Sequence, residues 1–390
     1  MADKAYITPI VFRWARESAK MTSEIAASKV NVTVERLLEW EAGTTQPTIK
    51  QAQMLAKAYK RPFALFFLPD IPRDFQPLQD FRRSDSKALS TGSVFMIREI
   101  QQKQAWISET NQENREQKFP FVGRFTVNDN PEDVAEDILN TLDISPGKYP
   151  NGNAVKEWIE KAEAKGIFVS RTSFVNSHLT LDSDELQGFA IADPFAPFVF
   201  INSEDWAAPQ LFTLVHELAH IWIAASGISA DIDPGFRKID RLHPVELFCN
   251  EVAANALIPK HMLLQLGSSI YQTASQIFAV AKTFGVSSFA LLVRALNLNL
   301  ISIAQYKNLK AAADAEFKAF LIREEEKKAK QKESTGGPSY YLLQIQKNSR
   351  LFTQTVLDAF HGGSLEPTQA SSLLNVKINH FHNLEAQLYK

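Results

Sequence analysis

Two histidines and one glutamate in the middle of the chain form a pattern that can bind and use a metal ion. The stretch LVHELAHIW, residues 214–222, contains His216, Glu217 and His220. Apolar residues recur around these positions at helical intervals, so both histidines are expected on one face of a helix, where one zinc ion can bridge them. Glu217 then lies close enough to activate a zinc-bound water without being a ligand itself. The motif predicts a zinc peptidase, and a helix with two chance histidines is the competing interpretation.

A catalytic zinc ion needs a third protein ligand besides the two histidines. Cys249 is the single cysteine of the chain, so a cysteine-based zinc cluster is excluded and the third ligand must be His, Asp or Glu. In metzincins, a glycine and a histidine follow the motif at three and six residues after its second histidine. Ile223 and Ser226 occupy those positions here, which excludes that class. The third ligand must therefore come from another part of the chain.

The segment 244–258, PVELFCNEVAANALI, predicts a second helix that can supply this ligand. Glu246, Cys249, Asn250 and Ala253 fall on one stripe of the helix, and the small residues of the stripe allow another helix to approach closely. We predict that Glu246 is the third ligand. Asn250, one turn further on, is predicted to hold a histidine ring or the carboxylate by a hydrogen bond.

Other roles and other ligands stay open at this stage. An acid in the first turn of a helix, such as Glu246, also complements the helix dipole without any metal. His243 is the next candidate ligand; alternatively it polarises the scissile carbonyl, or it only begins the helix. The remaining rival ligands are Asp231, Asp233, Asp240 and Glu251.

The sequence patterns around these residues predict a mainly α fold with a small β-sheet, in the α+β class. Residues 1–75 predict a five-helix-type unit with helix-turn-helix spacing. Short segments rich in Phe, Val and Ile between residues 166 and 202 predict strands. Residues 76–130 are expected to form a helical connector, 131–305 a zincin-like metallopeptidase domain, and 306–390 a helical C-terminal region.

Composition indicates a globular protein of the cytoplasm. Of the 390 residues, 45% are hydrophobic and 22% are charged, as in soluble globular proteins. The formal net charge of −2 gives the whole molecule no bias toward nucleic acid or acidic membranes. The chain begins without the pattern of a secretion signal, and its longest apolar run, FALFFL, is far too short to span a bilayer. We therefore expect a cytoplasmic location and no membrane partner.

Two groups of motifs resemble known families. HELAH, followed by E-x-x-C-N-x-x-A-A-N-A-L-I-P from Glu246 to Pro259, resembles the ImmA/IrrE family of bacterial zinc metallopeptidases. The N-terminal unit resembles Xre/Cro-type helix-turn-helix domains, with WEAG at 40–43 and QPT at 46–48 at the positions of that family's motifs. With YKRPFALFFLP, DFRRSD and the C-terminal tail, these motifs are similar to a known fused architecture that covers nearly the whole chain.

The resemblance implies an activity and a partner. Members of the ImmA/IrrE family cleave helix-turn-helix repressors encoded beside them, which switches on stress-response or mobile-element genes. By this resemblance, His216, His220 and Glu246 hold Zn²⁺, and Glu217 passes a proton from the attacking water to the leaving amine. The alternative is a DNA-binding transcriptional regulator whose metallopeptidase-like domain senses a metal or ligand without proteolysis, within a toxin–antitoxin or prophage module.

The N-terminal unit shows no clear preference for DNA over protein. Val34, Glu35 and Leu38 occupy positions where a recognition helix usually presents Gln, Ser, Asn or Arg to base edges. Residues 1–70 carry ten Lys or Arg against seven Asp or Glu, so their net charge is only +3. The unit is expected either to bind DNA or to dock, sense or dimerise through protein contacts, including the homologous domain of a substrate. The candidate contact residues for either partner are Arg13, Arg16, Lys29, Arg36, Lys57 and Lys60.

Overall fold

The computed structural model describes residues 3–72, 78–81, 87–176, 179–229, 232, 243–315, 317–318, 322 and 339–390. They belong to two compact units. Unit 1 comprises the described residues within 1–77, 87–101 and 174–181, and unit 2 comprises those within 78–86, 102–173 and 182–390. Most of the DFRRSD motif lies outside the described residues. Helices predominate and the sheet is small, which confirms the predicted fold class.

Unit 1 begins with a bundle of short helices whose starts are fixed by threonines. Thr22, Thr33 and Thr48 each accept the backbone N–H of the residue three positions later, which satisfies an otherwise unpaired donor of the first turn. The short segment 30–33 joins α2 to α3, so the predicted helix-turn-helix spacing is confirmed. The helices are α1 (Pro9–Ser18), α2 (Ser23–Lys29), α3 (Val34–Glu41) and α4 (Ile49–Ala58), followed by a 3₁₀ helix at Phe63–Phe67.

The core of this bundle is aromatic and contains one buried ion pair. The rings of Phe12, Tyr59 and Phe66 meet edge to face, with centroids 5.0–6.3 Å apart. Arg16 Nε lies 2.6 Å and its second guanidinium nitrogen 2.9 Å from the two carboxylate oxygens of Glu41. Such a bidentate pair, nearly closed off from solvent, holds α1 against α3.

The rest of unit 1 consists of part of a long helix and a two-stranded ribbon. Helix α5 (Thr91–Glu113) has its first part in unit 1 and its remainder in unit 2. Strands β3 (Phe174–Asn176) and β4 (Leu179–Thr180) pair antiparallel.

Unit 2 is built on a five-stranded sheet with the order β1-β7-β5-β6-β2. Strand β5 is antiparallel to both of its neighbours, whereas β2 pairs parallel with β6 and β1 pairs parallel with β7. The central strands are buried along their whole length, so they are apolar without alternation. The strands are β1 (Gln79–Asp80), β2 (Phe168–Thr172), β5 (Gly188–Ile191), β6 (Phe198–Asn202) and β7 (Gly227–Ser229).

Helix α8 packs on this sheet, and α9 packs on α8. Helix α8 is buried continuously from Gln210 to Trp222, and its polar residues His216, Glu217 and His220 are buried with it. Among the described residues no single helix is long and apolar enough to cross a membrane, although α11 and α12, bent by 96°, pass the length and composition test as a pair. The helices before the tail are α6 (Pro131–Leu142), α7 (Ala154–Ala164), α8 (Ala207–Trp222), α9 (Pro244–Leu257), α10 (Lys260–Leu266), α11 (Ala274–Phe284) and α12 (Ser288–Asn297).

The C-terminal helices pack against β2 and α7 through buried polar contacts. The Ser349 hydroxyl donates to Glu163 Oε1 at 2.5 Å, and the Leu351 N–H donates to the same oxygen at 3.4 Å. Lys103 Nζ donates to Asn348 Oδ1 at 2.7 Å. Burial raises the pKa of Glu163 to about 7, against these hydrogen bonds. The tail helices are α13 (Tyr340–Asn348), α14 (Arg350–His361), α15 (Pro367–Leu374) and α16 (Phe381–Leu388).

The buried Glu163 carboxyl predicts that the protein loses stability as the pH rises from 4.5 to about 7. Because its pKa is raised in the folded protein, the folded state binds the proton more tightly than the unfolded state between pH 4.5 and about 7. The free energy of unfolding should fall as pH rises through this range, by at most about 3 kcal/mol. Denaturant titrations at pH 5 and pH 8 measure this, with Glu163→Gln as the comparison. Equal pH dependence of the two proteins would contradict the prediction.

Candidate metal centre

Three side chains with metal-binding atoms converge at one buried place between α8 and α9. His216 Nε2 and His220 Nε2 are 3.1 Å apart. The Glu246 oxygens lie 3.2 Å from His216 Nε2 and 3.1 Å from His220 Nε2. Ligand atoms of a tetrahedral zinc ion with bonds of about 2.0–2.1 Å are separated by roughly 3.3 Å. The ligand atoms of the three residues thus have nearly the spacing that one metal ion requires.

Hydrogen bonds behind the two imidazoles fix their orientation. His216 Nδ1 lies 3.0 Å from Asn250 Oδ1, and His220 Nδ1 lies 3.1 Å from the carbonyl oxygen of Ala225. Because both oxygens accept, each Nδ1 carries the hydrogen and donates it, which leaves each Nε2 lone pair directed at the shared place. Two lone pairs and a carboxylate then face one another, an arrangement that a cation stabilises. The residues therefore fit a metal ion.

The small residues of α9 allow the close approach that this centre needs. Cys249 and Ala253 are fully buried on the stripe that also carries Glu246 and Asn250. This packing brings the Glu246 carboxylate up to the two imidazoles of α8. The predicted contact between the two helices is thus present in the structure.

Glu217 lies next to this group with both carboxyl oxygens buried. Neither oxygen has a hydrogen bond of good geometry among the described residues, although the nearby Ser229 hydroxyl acts to lower the pKa of this carboxyl. Gly188 of β5 makes room for it, since a Cβ at that position would lie 2.9 Å from Glu217 Oε1 and 2.7 Å from Thr213 Cγ2. Burial, together with the negative charge of Glu246, raises the pKa of Glu217 well above its ordinary value. A carboxyl group in such surroundings binds a proton more readily than an exposed one.

The surroundings of the other titrating groups favour metal-binding protonation states. Burial alone would raise the pKa of Glu246, but the adjacent His216 and His220 lower it to about 2. Burial lowers the pKa of His220. The Glu246 carboxyl is therefore ionised, which is the state in which a carboxylate binds a metal.

Of the rival ligands, the two that the structure describes, Glu251 and His243, are not in this group. Glu251 lies on the exposed side of α9, and His243 is exposed at its start, where His243 Nδ1 accepts the Val245 N–H at 3.3 Å. His243 thus caps the start of α9, which begins at Pro244. Asp231, Asp233 and Asp240 lie outside the described residues.

Contacts that sequence reasoning missed come from short strands. The Ser229 hydroxyl of β7 donates to Glu246 Oε1 at 3.4 Å. The Phe81 ring, just after β1, stacks on the His220 ring with centroids 5.3 Å apart and also contacts the His243 ring at 5.0 Å. Neither residue carries a motif, and β1 is too short to show a pattern.

A cavity of about 380 Å³ lies next to the residues that surround Glu217. Its lining includes Gln187 and Phe212, which are sequence neighbours of Gly188 and Thr213. Helix α12 contributes Phe289 and Ala290, and Asp205 and Ser287 add polar groups to the lining.

The candidate contact residues of unit 1 have different surroundings. Arg16 is occupied by Glu41 and by the Met21 carbonyl, so it holds the bundle together and is not part of a surface patch. Arg13 is half exposed and also contacts Glu41. Arg36 pairs with Glu39 at 2.6 Å, and Lys60 lies 3.7 Å from Glu99. Lys29 and Lys57 are exposed.

Two family models match this chain, one for each of the two families that its motifs resemble. Residues 162–296 match the family model Peptidase M78, described as the IrrE N-terminal-like domain. Residues 12–66 match a helix-turn-helix family model. The comparison with curated proteins gave no match.

The two matches cover the parts of the chain that contain the features described above. The first contains His216, Glu217, His220 and Glu246, and the second contains α2 and α3. The protein therefore joins an N-terminal helix-turn-helix domain to an IrrE-like domain of the M78 metallopeptidase family.

Proposed function

We propose that this protein is a zinc-dependent endopeptidase that cleaves a regulatory protein. The observation that carries the proposal is the convergence of His216, His220 and Glu246 beside the buried carboxyl group of Glu217. Nitrogen and oxygen ligands of this kind suit zinc. Zinc bound by these residues supplies a Lewis acid that polarises a peptide carbonyl and makes water a stronger nucleophile at neutral pH.

The residues of the chain perform the proton transfers and hold the geometry. Glu217 accepts a proton from the attacking water and delivers it to the leaving amine nitrogen, which needs a carboxyl group without competing hydrogen bonds. Asn250 and the Ala225 carbonyl keep the two imidazoles in one tautomer during the reaction. The Ser229 hydroxyl bonds to one Glu246 oxygen and so restrains the carboxylate.

The substrate that we propose is a helix-turn-helix repressor. The resemblance to the ImmA/IrrE family supports this class, as does the helix-turn-helix domain at residues 12–66. Helix α3 presents Leu38, which is 45% exposed, together with the exposed acid Glu35. Hydrogen bonds from the backbone and Thr33 lower the pKa of Glu35, so it is charged at neutral pH. An apolar side chain beside a fixed negative charge suits a protein partner better than a phosphate backbone. We also propose two domains, residues 1–75 and 131–305, which contain the two family matches.

Substitutions on the surfaces of α3 and α4 distinguish binding of a protein from binding of DNA. If the domain binds the repressor, Leu38→Asp should weaken the complex roughly tenfold or more, because an apolar contact is replaced by a charge. Lys57→Glu, on the exposed side of α4, serves as the matched control for a phosphate contact. Fluorescence anisotropy with the repressor and with duplex DNA measures both affinities. Loss of DNA binding in Lys57→Glu, with an unchanged repressor complex in Leu38→Asp, would contradict protein docking.

The proposed function is tested by incubating the zinc-loaded full chain with the repressor encoded beside it. Mass spectrometry should find two fragments that arise from one cleaved bond, and a chelator should prevent their formation. A full equivalent of bound zinc with no cleavage of any neighbouring protein would favour the alternative, a regulator that senses a metal or ligand without proteolysis.

A further inference from the structure

The candidate metal centre is closed to a peptide. His216, Glu217 and His220 are each 0% exposed, and Glu246 is 1% exposed. An endopeptidase has to bring an extended peptide segment against these groups. Some part of the structure must therefore move before a substrate can reach them.

Residues 78–81, named here the occluding segment, lie at the edge of the sheet beside the metal centre. Gln79 pairs with Gly227 and Asp80 with Ile228 of β7, in parallel register. The Phe81 N–H donates to the Ile228 carbonyl at 3.1 Å. The next residue of β7, Ser229, contacts Glu246, so the pairing takes place directly beside the ligands.

Phe81 anchors the occluding segment over the metal centre. Gln79 and Asp80 are exposed, whereas Phe81 is only 2% exposed and stacks on the ring of the ligand His220. Gly227 provides the room, because a Cβ at Gly227 would lie 2.1 Å from Phe81 Cε2. The ring therefore fills the space that a side chain at position 227 would need, and it lies against the His220 ring.

Two strand residues are few for a stable pairing, because a two-stranded contact without a large apolar face is marginal in water. The buried ring next to this strand is that of Phe81. An extended segment of a protein substrate makes the same main-chain bonds to a sheet edge, which is a common mode of peptide recognition. A longer substrate segment, with more hydrogen bonds to β7, can therefore replace it.

We infer that the occluding segment holds the peptidase in a closed state. It takes the place on β7 in which an extended segment of the substrate pairs, and Phe81 covers His220 until the segment is displaced. The inference rests on the proposed peptidase function. It concerns how the protein substrate gains access to the centre and adds no new ligand.

Release of zinc to a chromogenic chelator measures the opening without requiring a substrate. In the zinc-loaded full chain, Phe81→Ala should release zinc at least about tenfold faster than the unaltered protein, since loss of a buried ring favours the open form. Gly227→Ala should also accelerate release, because its Cβ expels the Phe81 ring. Phe168→Ala is the matched control, as Phe168 is 5% exposed on the opposite edge strand β2 and stacks on Phe198.

The outcomes separate occlusion from general loosening of the fold. Faster release in the Phe81 and Gly227 variants, with Phe168→Ala close to the unaltered rate, supports the inference. Release from Phe81→Ala at the unaltered rate overturns it, as does equal acceleration in Phe168→Ala. If the full chain binds no zinc at all, the proposed function fails, and the occluding segment is then judged by hydrogen exchange.

Hydrogen exchange of the unaltered protein tests the movement directly. The Phe81 amide should exchange by local opening, faster than the paired amides of β5 and β6 in the middle of the sheet. Exchange of the Phe81 amide as slowly as those central amides would show that the segment opens only when the whole unit unfolds, and would overturn the inference.

Discussion

Replacing Glu217 by glutamine should abolish cleavage and leave zinc binding intact. Glutamine keeps the size of the side chain but cannot accept the proton of the attacking water, and general acid–base catalysis contributes about 10²–10⁴-fold in rate. Glu217 is adjacent to His216 but forms no part of the ligand group, so zinc content should stay at one equivalent. The measurement is the rate of repressor cleavage, with zinc content determined on the same sample.

Glu251→Gln is the matched control for this change. Glu251 is an exposed carboxylate on α9, away from the converging ligands, so its replacement should leave cleavage unchanged. Equal activity of Glu217→Gln and the unaltered protein would show that another group takes the proton. Loss of zinc from Glu217→Gln would instead indicate that Glu217 is a ligand.

Replacing Glu246 should remove most of the zinc affinity. Glu246 provides the one negative charge of the ligand group, and its oxygens lie 3.1–3.2 Å from the two imidazole nitrogens. Loss of residues that only orient ligands lowers metal affinity about 10–100-fold, so loss of a ligand in Glu246→Gln should exceed this range. Asn250→Ala, which removes the acceptor of the His216 Nδ1–H, should fall within it. Competition with a chelator of known affinity gives both values.

The comparison between the zinc affinities of the Glu246 and Asn250 variants distinguishes a ligand from a residue that only orients one. Glu246→Gln should weaken zinc binding more than Asn250→Ala, and Glu251→Gln should not weaken it. A zinc affinity unchanged in Glu246→Gln would mean that the third ligand lies elsewhere. Asp231, Asp233 and Asp240 would then be the next candidates.

The parts of the fold with strong local signals were predictable from sequence. Helix α6 begins and ends where its proline and acids predicted, and α9 covers the predicted segment 244–258 to within one residue. The spacing of His216 and His220 follows from helix geometry alone. The stripe with Cys249 and Ala253 was enough to bring Glu246 to them, because small residues on one helix face have few roles other than close packing.

The closure of the metal centre could not be predicted in this way. Strands β1 and β7 have two and three residues, too few to show a period, and their pairing joins positions that are far apart in the sequence. The role of Phe81 depends on that pairing. The ion pair of Arg16 could not be predicted for a related reason, since its partner Glu41 is 25 residues away and their contact exists only once α1 and α3 have packed.

The most direct test of the central proposal is crystallography of the full chain with anomalous data collected at the zinc edge. We expect one strong anomalous peak within bonding distance of His216 Nε2, His220 Nε2 and a Glu246 oxygen. A zinc peak bound by other residues, or none at this place in zinc-loaded crystals, would contradict it.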